Sequence, residues 1–86
     1  MESHAVTLYT RPECRLCDEA RSALRAVLKD FPLPLNLREV NIELEPQLHK
    51  QLLAEIPAIE FRGELLAHAT SPLRIQAFIE HQSEGA

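Results

Sequence analysis

The two cysteines of this chain, Cys14 and Cys17, stand three residues apart in the stretch TRPECRLCDEA. At the first turn of a helix, two thiols at this spacing lie on one face, and a disulfide can join them with little backbone movement. Such a pair can exchange disulfides with another molecule. The same thiolates can instead supply half of a metal site, or be buried side chains without chemistry. The surrounding elements must decide among these interpretations.

The composition is that of a small globular protein. The chain has 86 residues, of which 45% are hydrophobic and 26% charged, a balance typical of one packed core. We therefore predict a single domain over residues 1–86. The 9 Lys and Arg residues against 13 Asp and Glu residues give a net charge of −4. This balance disfavours nucleic acid as a partner, because phosphate binding needs a basic surplus.

The first ten residues, MESHAVTLYT, carry no basic segment followed by a long apolar run. They therefore resemble neither a signal peptide nor a membrane span, and the sequence predicts a cytoplasmic protein without membrane partners. In a reducing compartment two cysteines are poor candidates for a structural disulfide. Redox chemistry or metal binding is the better interpretation of the pair.

Hydrophobic periodicity and turn residues predict four strands and three helices. The run AVTLYT is typical of a short strand buried on both faces. The amphipathic pattern after Cys14 predicts a helix that Pro32 and Pro34 end. Ser71 and Pro72 begin a last helix, and the tail QSEGA is predicted to fray. The predicted strands are residues 5–10, 35–41, 58–61 and 64–67, and the predicted helices residues 15–30, 46–53 and 72–81.

The order β-α-β-α-β-β-α predicts the fold class. Its first half is typical of a right-handed parallel unit. Its second half is typical of an antiparallel hairpin, with Arg62 and Gly63 as the connection. The prediction is an α/β protein with a four-stranded mixed sheet, helices on both faces and a thioredoxin-like layout.

Cys14 is predicted to lie where the first helix begins. Unpaired N–H groups and the helix dipole favour a thiolate there. Cys14 is therefore the expected nucleophile, and Cys17, on the apolar stripe, is the thiol expected to resolve the mixed disulfide. Thr10 and Glu13 have the spacing of a capping box, and a helix beginning at Thr10 would instead place Cys14 one turn inside it. Pro12 favours a turn at this point.

Two segments carry a resemblance to a known family. VTLYTRPECRLCDEA resembles the active-site segment of glutaredoxin-like proteins, and EIPAIEF resembles the cis-proline segment of thioredoxin-fold proteins, a likeness that covers about residues 5–81. The signature Thr-x-x-x-Cys-x-Leu-Cys-Asp at residues 10–18 is similar to that of a group of small bacterial glutaredoxin-like proteins. The resemblance implies dithiol redox chemistry at Cys14 and Cys17, a cis Pro57 facing them, and Arg11 as the basic residue that contacts glutathione.

Other segments differ from typical glutaredoxins. Arg15 and Leu16 replace a proline and a tyrosine between the cysteines, and HATSPL replaces a glycine pair and an acidic residue after the last strand. We therefore expect weak glutathione binding. Leu16 can contact a protein substrate or turn into the core. Since Pro57 has no N–H, we expect the backbone of Ile56 to be free to pair with an extended substrate. The predicted substrate-binding residues are Arg11, Arg15, Leu16, Ile56 and Pro57.

We interpret the chain as a monomeric thiol–disulfide oxidoreductase without a tightly bound cofactor. Its expected partners are a disulfide-containing protein or a low-molecular-weight thiol, and a reductase system; glutathione can serve as the reductant. Two alternatives stay open: a non-enzymatic binding module, and a metal or iron–sulfur protein that uses the same cysteines. A shared cluster would need glutathione as co-ligand. Zinc would need further ligands, and no histidine has suitable spacing: His4, His49, His68 and His81.

Overall fold

In the computed structural model, residues 5–84 are described, and they form four strands and three α-helices in the predicted order. The boundaries differ from the predicted ones mainly at the end of the last helix. His4 lies outside the described residues. The strands are β1 (Ala5–Thr10), β2 (Asn36–Asn41), β3 (Ala58–Phe61) and β4 (Glu64–Leu66), and the helices are α1 (Arg15–Asp30), α2 (Pro46–Leu52) and α3 (Pro72–Glu84).

The four strands form one mixed sheet in the order β2-β1-β3-β4. β1 runs parallel to β2, with Thr10 opposite Asn41, and antiparallel to β3, with Tyr9 opposite Ala58. β3 and β4 are antiparallel neighbours. The predicted α/β class with a four-stranded mixed sheet is thereby confirmed. The carboxyl ends of β1 and β2 and the amino end of β3 meet at one edge of the sheet.

The hydrophobic core lies between one face of the sheet and the helices α1 and α3. From β1, Val6 and Leu8 enter this core, whereas Thr7 and Tyr9 on the other face are only half-buried. The prediction that β1 is buried on both faces is therefore wrong for the second face. α2 contributes no fully buried side chain among the described residues. The core cluster consists of Val6, Leu8, Ala20, Ala23, Leu24, Ile59, Phe61, Ala69, Ile75 and Ile79.

The end of α3 is longer than predicted. The helix continues to Glu84, so the fraying expected from residue 82 onward does not occur at residues 82–84. Arg62 accounts for part of this, because its guanidinium donates hydrogen bonds to the carbonyl oxygens of Gln82 at 3.3 Å and Ser83 at 3.4 Å. The last carbonyl groups of a helix lack partners within the helix, and a cation favours the negative end of its dipole.

Two local turns shape the chain around the sheet. Arg62 and Gly63 both have positive φ, at 53° and 86°, as in the hairpin turns whose twist matches that of the strands. A 3-10 turn that was not predicted, Ile42–Leu44, follows β2. The side-chain oxygen of Asn41 caps it by accepting a hydrogen bond from the Glu43 N–H at 2.9 Å. Asparagine bonds its own downstream backbone readily, which explains the turn.

Candidate active site

Cys14 lies at the N-cap of α1, in extended conformation with φ −125° and ψ 103°. Its Sγ accepts a hydrogen bond from the backbone N–H of Cys17 at 3.1 Å, and its carbonyl oxygen accepts the N–H of Asp18 at 3.1 Å. The helix begins at Arg15, directly after the cysteine. Cys14 therefore holds the cap position that the sequence predicts, where the free N–H groups of the first turn converge.

The alternative start of this helix at Thr10 does not occur. Thr10 ends β1, is almost fully buried, and its hydroxyl donates a hydrogen bond to the Glu39 carboxylate at 3.0 Å. Glu13 has a φ of 54°, which turns the chain between the strand and the helix. A non-glycine residue rarely adopts this left-handed conformation. The turn at Pro12 and Glu13 is thus what places Cys14 at the helix entrance.

Cys14 and Cys17 form a disulfide bond, with their Cα atoms 5.2 Å apart. The two sulfurs differ in accessibility, because Cys17 is fully buried and Cys14 is only partly so. An incoming thiol or disulfide can therefore approach the Cys14 side of the bond more easily. The arrangement is a redox-capable pair with one outer and one inner sulfur.

Pro57 lies at the same edge of the sheet as the cysteine loop. The Ile56–Pro57 peptide bond is cis and the Pro57 side chain is fully buried. Because Ala58 lies opposite Tyr9, Pro57 follows at the level of Thr10, where the chain leaves β1 toward Cys14. The expectation of a free Ile56 backbone is wrong for its N–H, which donates to the Leu52 carbonyl oxygen at 3.1 Å. Only the carbonyl oxygen of Ile56 can then pair with an extended substrate.

The other predicted substrate-binding residues lie on the surface around Cys14. Leu16 is 52% exposed, so it turns toward solvent and not into the core. The Arg15 side chain is 89% exposed, and its only ion pair among residues 5–84 is a long one of 3.9 Å with Glu19. Arg11 is exposed and donates a 3.4 Å hydrogen bond to the Pro12 carbonyl oxygen. All three side chains can therefore reach a molecule that docks at Cys14.

A charged network behind the cysteine loop was not predicted. Arg21, on α1, donates to both carboxylate oxygens of Glu39, on β2, at 2.7 and 2.6 Å, and to Asp18 at 2.8 Å. Hydrogen bonds from Arg21 hold the pKa of Glu39 below its ordinary value, and the same contact raises the pKa of Arg21. Because residues three apart on a helix are neighbours, the sequence spacing alone predicts the contact between Asp18 and Arg21. Glu39 could not be assigned to this network, because its approach depends on the pairing of β1 with β2.

The loop that replaces the glycine pair is attached to the Pro57 segment. Its His68 N–H donates to the Glu55 carbonyl oxygen at 3.0 Å, and its Ala69 N–H donates to the Pro57 carbonyl oxygen at 2.8 Å. The Arg74 guanidinium holds the His68 carbonyl oxygen at 3.2 Å. These backbone groups are therefore engaged within the chain, at the place where typical glutaredoxins have a glycine pair.

Two further properties bear on the alternatives. Within residues 5–84, no three His, Cys, Asp or Glu side chains are grouped closely enough to hold a metal ion. None of the helices in the same range combines the length and the apolarity needed to cross a membrane.

Comparisons with solved structures agree with this architecture. The X-ray structure of protein XcR50 from X. campestris is 26% identical, with a TM-score of 0.75 over 88% of this chain and 96% of that one. Its solution structure gives 27% identity and a TM-score of 0.70, covering 90% and 94%. Thioredoxin-2, a component of malaria parasite protein secretion machinery, shares the fold at 18% identity and a TM-score of 0.65, covering 90% and 81%. The predicted thioredoxin-like fold is confirmed.

Sequence comparison adds the family. No curated protein matches the chain. The model of one family, described as Glutaredoxin-like domain (DUF836), matches residues 5–80, which include both cysteines, Pro57 and most of α3. The thioredoxin-like fold and the Cys-x-x-Cys pair at the start of α1 support a redox role in general. This chain therefore belongs to the glutaredoxin-like domain family.

Proposed function

We propose that the protein is a thiol–disulfide oxidoreductase that uses Cys14 and Cys17 as its dithiol–disulfide couple. The observation that carries this proposal is the position of the pair: Cys14 caps α1 with its sulfur partly accessible, while the Cys17 sulfur is buried one turn behind it. A helix N-terminus lowers the pKa of a thiol through its free N–H groups and its dipole. The outer thiol is thus the one prepared to attack.

The reaction begins with the reduced pair. The Cys14 thiolate attacks one sulfur of a substrate disulfide, forms a mixed disulfide, and releases the other substrate sulfur as a thiolate that takes up a proton. The Cys17 thiolate, formed by loss of its proton to solvent, then attacks the Cys14 sulfur and displaces the second substrate thiolate. Two electrons pass from the protein to the substrate, and the Cys14–Cys17 disulfide seen in the structure is the oxidised product.

The surface around Cys14 supplies the proposed substrate contacts. Leu16 offers an exposed apolar side chain to a protein substrate, and Arg11 and Arg15 offer cations to a carboxylate of the substrate or of glutathione. The buried Pro57 forms a rigid wall at the sheet edge. The Ile56 carbonyl oxygen accepts a backbone N–H from an extended substrate segment, in the manner of strand addition.

Regeneration of the dithiol needs two electrons from outside the chain. We propose a low-molecular-weight thiol such as glutathione, or a reductase system, as the donor, and a disulfide-containing protein as the substrate of a monomeric, cytoplasmic enzyme. Backbone hydrogen bonds join the His68 loop to the Pro57 segment, and the Arg74 guanidinium donates to the His68 carbonyl oxygen. These backbone groups already have partners within the chain, which supports weak glutathione binding.

A coupled assay tests the proposal. The oxidised protein is supplied with NADPH and either glutathione plus glutathione reductase or thioredoxin reductase, and reduction of a mixed disulfide substrate or of insulin is followed. We expect turnover with at least one donor, and none with Cys14→Ser. Cys17→Ser should accumulate a mixed disulfide at Cys14, detectable by mass, because the resolving thiol is missing. No turnover with either donor and no trapped adduct would leave a non-enzymatic binding module as the better interpretation.

A further inference from the structure

Two carboxylates close to the start of α1, those of Asp18 and Glu39, share one cation. Arg21 holds Asp18 at 2.8 Å and clamps Glu39 by two hydrogen bonds of 2.6 and 2.7 Å. The Arg21 side chain is 25% exposed and that of Glu39 34%, whereas that of Asp18 is 69% exposed, so the contact with Glu39 is better shielded from water than the contact with Asp18. The three groups together carry a net charge of −1, and without the guanidinium they would carry −2.

This cluster lies directly behind the redox pair. Asp18 follows Cys17 in the chain, and its backbone N–H bonds the Cys14 carbonyl oxygen. The Glu39 carboxylate accepts a hydrogen bond from the hydroxyl of Thr10, the last residue of β1 before the cysteine loop. An uncompensated negative charge at these positions would counteract the positive end of the α1 dipole, which favours a thiolate at Cys14.

We propose that Arg21 is a positioning residue of the redox site, which ties Asp18 and Glu39 away from the cysteines and neutralises part of their charge, so that Cys14 can ionise at the helix entrance. This inference rests on the proposed function, in which the Cys14 thiolate is the attacking group. It assigns to Arg21 a role that no cysteine-based motif contains, since the residue acts through its two carboxylate partners and not by touching the sulfur.

Other cations around the site do not fill this role. Arg15 is almost fully exposed and its ion pair with Glu19 is long, at 3.9 Å, so solvent screens its charge. Arg25, one turn after Arg21, makes no side-chain hydrogen bond within residues 5–84 and affects Glu39 only through its charge, more weakly than Arg21 does, so it serves as a matched control for the hydrogen-bonded contact. Further charged groups reach this end of the sheet from the neighbouring segments and are left unchanged in the test: Arg11, Glu13, Glu43, Glu55, His68 and Arg74.

The test measures the ionisation of Cys14 directly. In a Cys17→Ser background the chain has one thiol, and the pH dependence of its alkylation rate gives its pKa without any substrate or reductant. We expect Arg21→Ala to raise this pKa, and Asp18→Asn and Glu39→Gln to lower it. At low ionic strength each shift should be about 0.3 unit, the effect of one unit charge about 10 Å away in water without screening by salt.

The opposite signs separate electrostatics from a purely structural role. Arg21→Ala and Glu39→Gln both weaken the clamp, so a structural role would move the thiol pKa in the same direction in both variants. Arg21→Lys keeps the charge but not the pair of hydrogen bonds to Glu39, and its Cys14 pKa should lie close to the wild-type pKa. Arg25→Ala should shift the Cys14 pKa by less than half as much as Arg21→Ala. The inference would be overturned if Arg21→Ala and Glu39→Gln shifted the thiol pKa in the same direction, or if neither variant shifted it. Failure of the coupled assay would overturn the proposed function alone, since alkylation requires no turnover.

Discussion

The backbone N–H of Cys17 points at the sulfur of Cys14, with 3.1 Å between the nitrogen and Sγ. In the reduced protein this N–H can donate to the Cys14 thiolate, and hydrogen bonds to the charged form lower the pKa of a thiol. Cys17 has no equivalent advantage, because its own sulfur is buried and burial opposes ionisation. The two cysteines are therefore chemically unequal although only two residues separate them.

The first prediction concerns this inequality. Limited alkylation of the reduced protein at neutral pH should label Cys14 at least about tenfold faster than Cys17, since the thiolate form and solvent access both favour the outer thiol. Peptide mass spectrometry separates the two sites after a mass-labelled quench. The same reaction in denaturant should remove most of the difference. Faster labelling of Cys17 in the folded protein would reverse the roles assigned to the pair.

A second prediction concerns glutathione. The His68–Ala69 segment is bonded to the Glu55 and Pro57 carbonyl oxygens, and glutathione finds no glycine pair there. We expect binding of reduced glutathione with a Kd on the order of millimolar. An NMR titration should show the largest shifts at Arg11, Cys14 and Ile56. Saturation at micromolar concentration would show instead that a well-formed glutathione site exists.

A third prediction concerns Tyr9, the only tyrosine of the chain. Burial, followed by the 2.6 Å hydrogen bond to Glu60, raises the pKa of Tyr9 to about 12 from 10.0. Tyr9 loses its proton at a lower pH in the unfolded chain than in the folded one. The contribution of protonated Tyr9 to the free energy of unfolding is therefore fully present below pH 10 and is lost as pH rises toward 12. The absorbance of tyrosinate reports the midpoint directly.

Glu60→Gln should move this midpoint toward 10 without reaching it, because the contribution of burial remains. Glu64→Gln, on the exposed strand β4, is the control and should leave the midpoint unchanged. A wild-type midpoint at the value of the denatured chain would contradict the contact between Tyr9 and Glu60.

A fourth prediction concerns acid stability. Hydrogen bonds from Arg21 lower the pKa of Glu39, so its contribution to stability is present above the ordinary value of 4.5 and is lost as pH falls through the lower folded value. The Tm of Glu39→Gln should therefore lie below that of the wild type at neutral pH, and the two should converge in acid. Thermal denaturation followed by circular dichroism provides the measurement. If the difference in Tm between the two proteins stayed constant from neutral to acid pH, the ionised Glu39 carboxylate would not be the cause of that difference.

A fifth prediction concerns the end of α3. Arg62→Ala should release the Gln82 and Ser83 carbonyl oxygens, speed amide exchange in the last turn of α3, and cost about 0.5 kcal/mol in the free energy of unfolding. Arg62→Asn is the matched variant, because asparagine tolerates the positive φ of 53° at this turn and also lacks the guanidinium. It should show the same faster exchange with less loss of stability. Unchanged amide exchange in both variants would show that Arg62 does not stabilise the last turn of α3.

The sequence by itself determined the order of the elements and the place of the redox pair. Cys14 lies at the helix entrance because Pro12 and Glu13 form a turn there, and a turn is specified by residues adjacent in the chain. The hairpin at Arg62 and Gly63 and the start of α3 at Pro72 follow from equally local preferences. Strong local signals of this kind need no knowledge of the distant chain.

Tertiary structure decided the contacts that join distant segments. Glu39 meets Arg21 only because the parallel pairing of β1 and β2 brings the edge strand beside α1, and no sequence spacing encodes that approach. Arg62 meets the Gln82 carbonyl oxygen at the end of α3 for the same reason, because the two residues are far apart in the sequence. Each contact depends on how elements pack in three dimensions, where many side chains compete for one polar partner. Local sequence therefore placed the cysteines, and packing set the charges and backbone groups around them.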